Sequence, residues 1–159
     1  MRTIIITGAS GGLAQEMVKL LLEDRLILLG RNQEKLEDLY ASHPQAECIG
    51  LDITDSSAIQ QLVEELTQRY GQIDVLVNNA GYGIFEVFDS ISDQQVREMF
   101  EVNTFALMQF SRLVGAHMKE VGKGHIVNIV SMAGLVATAK SSLYSATKFA
   151  AIGFSNALR

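Results

Sequence analysis

Tyr144 and Lys148, set four positions apart, are the residues in this chain best suited to acid–base chemistry. If their segment is helical, both side chains leave from one face with their tips within reach of each other. A free phenol, with a pKa of ~10, is a poor acid at neutral pH, and an ammonium beside it favours its ionised form. Ser131 follows the apolar run Ile126-Val127-Asn128-Ile129-Val130, at the carboxyl end of an expected strand, where it would bind the oxygen that Tyr144 protonates. This set suits proton transfer to or from a carbonyl or alcohol oxygen. Most Tyr and Lys pairs on helices are only half-exposed neighbours, so the rest of the chain decides what this pair means.

The first element needed to position such a site is at the amino terminus. Apolar positions 3–6 read as a strand that runs into Thr7-Gly8-Ala9-Ser10-Gly11-Gly12-Leu13-Ala14, then an amphipathic helix with Leu13, Met17, Leu20 and Leu21 on one side. Strand, glycine turn and helix in that order bring backbone amides and a positive dipole end to a pyrophosphate. A plain connection can have the same composition. A second strand over 25–29 ends at Gly30-Arg31, about 20 residues past the glycines, where a dinucleotide fold meets the adenosine ribose. A carboxylate there would repel a 2′-phosphate, whereas a guanidinium can hold one bidentately, which favours NADP over NAD. An exposed Arg at a strand end is the plain alternative.

Further along, a helix over 33–41 precedes a strand over 47–51 that ends in Asp52-Ile53. Asp52 would accept a bond from an adenine amino group, or else start the next turn. The next helix carries Ile59, Leu62, Val63, Leu66 and Tyr70 on one face, and a strand over 75–77 closes on Asn78-Asn79-Ala80-Gly81, where small residues let a cofactor lie against the backbone. Ser92 and Gln95 form a capping-box signature before Met99, Phe100 and Asn103, and 105–118 continues the helical pattern. Asn103 disfavours a helix interior, so it marks a kink with an exposed carbonyl or faces the surface. The apolar runs at 3–6, 26–29, 75–77 and 126–130 suit a parallel sheet covered on both faces, and strands and helices alternate throughout. A doubly wound α/β fold in one domain follows, with its ligand beyond the carboxyl ends of the strands, where Gly8, Arg31, Asp52, Asn79 and Ser131 all fall.

Composition narrows the options. The chain has 159 residues, 48% hydrophobic and 19% charged, as in globular proteins. A net charge of −5 without charge blocks argues against nucleic-acid binding. Lone Cys48 reads as a buried thiol in a reducing compartment, and no apolar run approaches membrane-span length, so a cytoplasmic location is expected. His43, His117 and His125 have no ligand spacing and default to surface or strand-end positions, leaving no metal site expected.

With these motifs assembled, the chain from Arg2 to Arg159 closely resembles the short-chain dehydrogenase/reductase family. The resemblance rests on the glycine turn, Asp52-Ile53, Asn78-Asn79-Ala80-Gly81, Asn103, Ser131 and Tyr144-x-x-x-Lys148 in the family's order. It implies an NADP(H)-dependent oxidoreductase that interconverts a ketone or aldehyde with an alcohol. Tyr144 would be the general acid or base, and Lys148 would lower its pKa and hold the nicotinamide ribose. Ser131 would polarise the substrate oxygen, and Asn103 would shape the backbone around a water linked to Lys148. Ser10, Gly12 and Leu13 would meet the pyrophosphate, with Asn79 at the adenosine half. Gly8, Arg31, Asp52, Ile53, Ala80 and Gly81 complete the expected cofactor contacts. The resemblance further implies a homo-oligomer, because helices around 103–118 and 144–159 commonly pack on a partner subunit. There are two departures: Ala14 stands where the glycine motif usually ends in Gly, and the sequence stops inside the Tyr144 helix without a Gly or Pro signal, whereas the family continues. A strand over 126–130 at the sheet edge, without its neighbour, is expected from the second.

Overall fold

In the computed structural model, which describes residues 1–158, five parallel strands form one sheet in the order β3-β2-β1-β4-β5. The strands are β1 (Thr3–Thr7), β2 (Arg25–Gly30), β3 (Ala46–Gly50), β4 (Val75–Asn78) and β5 (His125–Asn128). From β1 the chain winds outward to β3, then crosses back to β4, which pairs with β1 through Ile4↔Val75, Ile5↔Leu76 and Ile6↔Val77. The reversal opens a crevice between the carboxyl ends of β1 and β4, where open α/β sheets bind ligands. This is the doubly wound, Rossmann-like architecture expected from the alternating pattern.

The pleat explains why the central strands carry apolar residues at successive positions. Ile5, Ile27 and Leu76 point to one face, under α3 (Ser56–Tyr70) and α5 (Ala106–Val121), with Ile59, Leu66, Phe110 and Val114. Ile4, Ile6, Leu26 and Leu28 point to the other, under α1 (Gly12–Lys19) and α2 (Gln33–Tyr40), with Ala14, Val18 and Leu36. The stripe expected on α1 holds for Met17 and Leu21, which pack against the core, and needs correction at Leu13 and Leu20. Leu13 is 54% exposed and Leu20 85% exposed, and the fully buried positions are Ala14 and Val18. Leu13 lies in the first turn of the helix, which faces the crevice, and Leu20 caps the last turn; neither can reach the sheet. The small side chain of Ala14 suits close packing at the place where the motif usually has Gly.

Two other expectations change. The last strand ends at Asn128, two residues short of 130, and it is the outer strand of the sheet with Ile126, Val127 and Asn128 half-buried. His43 is buried, with Nδ1 accepting the Gln45 amide, and does not match the surface default, whereas His117 is half-buried; the Nε2 atoms of both are buried with no partner among the described residues. Cys48 is half-buried rather than buried, and burial pushes its thiol upward.

The α4 helix (Asp93–Phe100) starts with the expected capping box, and Glu101–Phe105 then form a π-helical turn before α5. Helix α6 (Ser142–Ala157) carries Tyr144 and Lys148; Arg159, assigned to the same helix from the sequence, lies outside the described residues. Side-chain bonds lace these helices to the sheet. Asn78 Nδ2 donates to Ser111 Oγ and Asn128 Oδ1, and Asn128 Nδ2 donates to Ser155 Oγ, so α5, β4, β5 and α6 share one polar chain. No helix among the described residues is long and apolar enough to cross a membrane.

Candidate active site

The glycine turn is held by a network that begins at Thr7. Its Oγ1 accepts the amides of Asn79 and Ala80 at 3.0 Å each, and Asn79 Nδ2 donates to the carbonyls of Thr7 and Gly8 at 3.1 Å. Gly8 adopts φ +64°, and a Cβ there would lie 2.7 Å from Ala80 Cα. Only glycine allows the β1 and β4 loops to approach this closely. The amides of Ser10, Gly12 and Leu13 have no partner among the described residues. They are the free donors of a turn and helix start, which favours an anion.

From the turn a cleft of about 940 Å³ runs past Gly30, Arg31, Asp52, Ile53 and Thr54 on one side, and past Asn79, Ala80, Gly81, Tyr82, Glu98 and Val102 to Tyr144 and Lys148. Arg31 is exposed and makes no ion pair among the described residues. Asp52 Oδ1 accepts the Thr54 amide at 2.9 Å and its hydroxyl at 2.7 Å; these bonds, with a smaller contribution from the Arg31 charge, hold its carboxyl below the usual range. A broader groove, about 1170 Å³, lies along α5, β5 and α6, with Arg112, Lys119 and His125 on its walls. It contains none of the residues expected to do chemistry, so the cleft over the strand ends is the better candidate.

At its inner end, Tyr144 and Lys148 share a face of α6, with Lys148 Nζ 5.6 Å from the centre of the Tyr144 ring. Lys148 is 5% exposed, and its Nζ reaches the Ile129 carbonyl at 3.3 Å. Burial alone moves its ammonium below the ordinary 10.5. Between the depressed folded value and 10.5 the unfolded chain therefore binds more protons, so the burial penalty is full at low pH and is relieved as pH rises. The urea midpoint of Lys148→Met, relative to the parent, is accordingly expected to be higher at pH 7 than at pH 10. An equal difference at both pH values would contradict this.

Asn103 sits in the π turn, 1% exposed. Its Oδ1 accepts the Tyr82 amide at 3.0 Å, and its Nδ2 donates to the Tyr82 carbonyl at 2.7 Å and to Thr147 Oγ1 at 3.2 Å. Thr104 Oγ1 adds a bond to the Thr147 carbonyl. The distortion expected at Asn103 is real, and the surface alternative is excluded. A Cβ on Gly81 would sit 3.3 Å from both Asn103 Oδ1 and Lys148 Nζ, so these groups converge on Gly81; Lys148 lines the cleft and Asn103 lies behind it.

Ser131 differs most from expectation. It stands three residues past β5 and caps a short 3₁₀ turn, Met132–Gly134, with Oγ accepting the Ala133 amide at 3.1 Å. It is not among the cleft-lining residues. Sequence reasoning missed Phe85, whose ring centre lies 5.2 Å from that of Tyr144, and Gly83, where a Cβ would fall 2.6 Å from the Phe85 ring. Neither has a periodic signal, because both lie in the irregular loop after β4. Thr7 enters the sequence pattern only through the glycine motif, although a hydroxyl at the end of a central strand is a visible clue.

A family model described as short chain dehydrogenase matches residues 2–159. The chain belongs to the short-chain dehydrogenase family. Among curated relatives, 3-ketodihydrosphingosine reductase of Bacteroides thetaiotaomicron is 32% identical over 155 residues, 98% of this chain and 56% of that protein. Ketoacyl reductase HetN of Nostoc sp. is 34% identical over 164 residues, 99% and 57% of the two chains. This short-chain dehydrogenase sequence thus spans little more than half the length of those relatives. Among solved structures, a short-chain dehydrogenase from Streptomyces avermitilis superposes with a TM-score of 0.95 at 36% identity, covering 99% of this chain and 60% of that one. A metagenomic short-chain oxidoreductase in complex with NADP gives 0.91 at 30% identity, covering 98% and 74%.

Proposed function

We propose that this cleft binds NADP(H) and that the protein transfers a hydride between it and a carbonyl or alcohol substrate. The observation that carries the reading is continuity: one cleft joins the amides of the glycine turn and Arg31, which have no partner among the described residues, to the Tyr144–Lys148 pair. Gly8, Ser10, Gly12 and Leu13 would hold the pyrophosphate, Arg31 the 2′-phosphate, Asp52 and Ile53 the adenine, and Asn79, Ala80 and Gly81 the adjoining backbone wall. Lys148 would hold the nicotinamide ribose. When bound, NADPH supplies the hydride that adds to the carbonyl carbon. The Tyr144 hydroxyl gives its proton to the carbonyl oxygen, and the Lys148 ammonium stabilises the charge left behind on the phenol. Asn103 and Thr104 fix the α6 backbone so that both side chains keep their direction. Ser131 would meet the substrate oxygen after turning from the Ala133 amide, a rotation about one side-chain bond. A single domain, a cytoplasmic location and a homo-oligomer through α5 and α6 belong to the same reading.

NADPH titration followed by a panel of ketones and aldehydes tests it; the expected result is saturable binding with turnover. One observation favours a second reading, a nucleotide-binding or interaction module without turnover. Its Ser131 hydroxyl accepts the Ala133 amide and does not line the cleft. NADPH binding with no turnover of any panel member would select that reading. Coenzyme choice has its own test. Arg31→Ala is expected to weaken NADPH about tenfold, the lower end for a charge-assisted bond, and leave NADH unchanged. Equal loss for both would remove Arg31 from 2′-phosphate recognition.

A further inference from the structure

Each carbonyl from Thr7 to Ser10 accepts a hydrogen bond from a side chain elsewhere in the protein. Asn79 takes those of Thr7 and Gly8, and Gln15 Nε2 takes that of Ser10 at 3.1 Å. The Ala9 carbonyl is held from farther away, by the hydroxyl of Tyr40 at 2.5 Å, 31 residues along the chain. Tyr40 ends α2, is buried, and packs with Ala9, Ala14 and Leu36 against the sheet. The Ala9 amide donates to the Leu29 carbonyl at 2.9 Å, so this residue is pinned on both sides. The Ala9 carbonyl and the Ser10 amide belong to one planar trans peptide, in which C=O and N–H point in opposite directions. Drawing the oxygen toward the core therefore swings the hydrogen of Ser10 toward the cleft, where that amide has no partner among the described residues.

We propose that Tyr40 is a positioning residue for cofactor binding: its hydroxyl holds the Ala9 carbonyl so that the Ser10 amide is aimed at the pyrophosphate. The inference rests on the nucleotide-binding reading above and adds to it a residue outside the cleft. Burial raises the Tyr40 phenol above its ordinary 10.0, so it stays a donor through the neutral range. If the hydroxyl only completes a core contact, its loss lowers stability without distinguishing one ligand from another. A positioning role makes the loss selective for ligands that contain a pyrophosphate.

The test titrates the full chain and Tyr40→Phe with NADPH and with adenosine 2′-monophosphate, which carries the adenosine end and no pyrophosphate. NADPH is expected to bind about 3- to 10-fold more weakly to the variant, the range of one ordinary hydrogen bond. Affinity for adenosine 2′-monophosphate is expected to stay unchanged. Equal weakening of both ligands, or of neither, overturns the proposal. If the variant does not fold, the parent still decides: its Ser10 amide resonance is expected to move on saturation with NADPH and not with adenosine 2′-monophosphate. A Ser10 resonance unmoved by NADPH overturns it. A parent that binds no NADPH at all removes the underlying site reading as well, and is readily distinguished from a parent that binds as tightly as Tyr40→Phe.

Discussion

A Tyr144→Phe chain is expected to bind NADPH as the parent does and to lose carbonyl turnover by about 10²- to 10⁴-fold, the contribution of a positioned general acid. The substitution is mild for the fold. The Tyr144 hydroxyl makes no hydrogen bond among the described residues, and the ring's packing against Phe85 survives in phenylalanine. Removing it therefore leaves no buried group without a partner, and the melting temperature is expected to stay within error. Turnover equal to the parent's on the same substrate would eliminate the assigned proton path. A parallel loss of NADPH affinity would instead mean that the hydroxyl acts mainly in coenzyme binding.

Gly8→Ala is expected to have the largest effect on both stability and binding. At φ +64° an L side chain costs about 1–2 kcal/mol, and forcing a methyl into a packed site adds about 1–3 kcal/mol. The new methyl would lie 2.7 Å from Ala80 Cα and 3.0 Å from its amide nitrogen, both backbone atoms that cannot rotate aside. Relief requires the β1 and β4 loops to separate, which strains the Thr7 and Asn79 bonds that shape the turn. Chemical denaturation should reveal a loss of about 2–5 kcal/mol, with NADPH binding lost under conditions where the variant remains folded. A variant as stable as the parent would mean that the loops approach less closely than described.

What the sequence made legible was chemistry at short range. Gly8, Gly12 and Leu13 lie within one turn, and Tyr144 and Lys148 within one helical turn, so covalent spacing fixed their relation before any tertiary contact. The parallel sheet was equally readable, because strands covered on both faces must be apolar at every position. Asn103 was flagged as out of place in a helix, but its partners, Tyr82 and Thr147, lie 21 and 44 residues away. Tyr40 looked like an ordinary helix residue for the same reason. Leu13 was assigned to the core of α1 because periodicity counts apolar residues without knowing which helix end overhangs the sheet. Ser131 was placed at a strand end that fell three residues earlier, since an apolar run continues past the last ladder pair, Asn78↔Asn128.

The π-helical turn between α4 and α5 amounts to one surplus residue accommodated inside a nearly continuous rod. Winding the same residues into uniform α geometry, with none removed, would turn everything beyond them by about 100° relative to what precedes. Asn103 and Thr104 would swing off Tyr82 and Thr147, and Phe110 and Val114 would leave the sheet. The widened turn thus absorbs its extra residue locally, letting Asn103 and Thr104 grip the helix that bears the reactive phenol while Phe110 and Val114 stay in phase with the sheet.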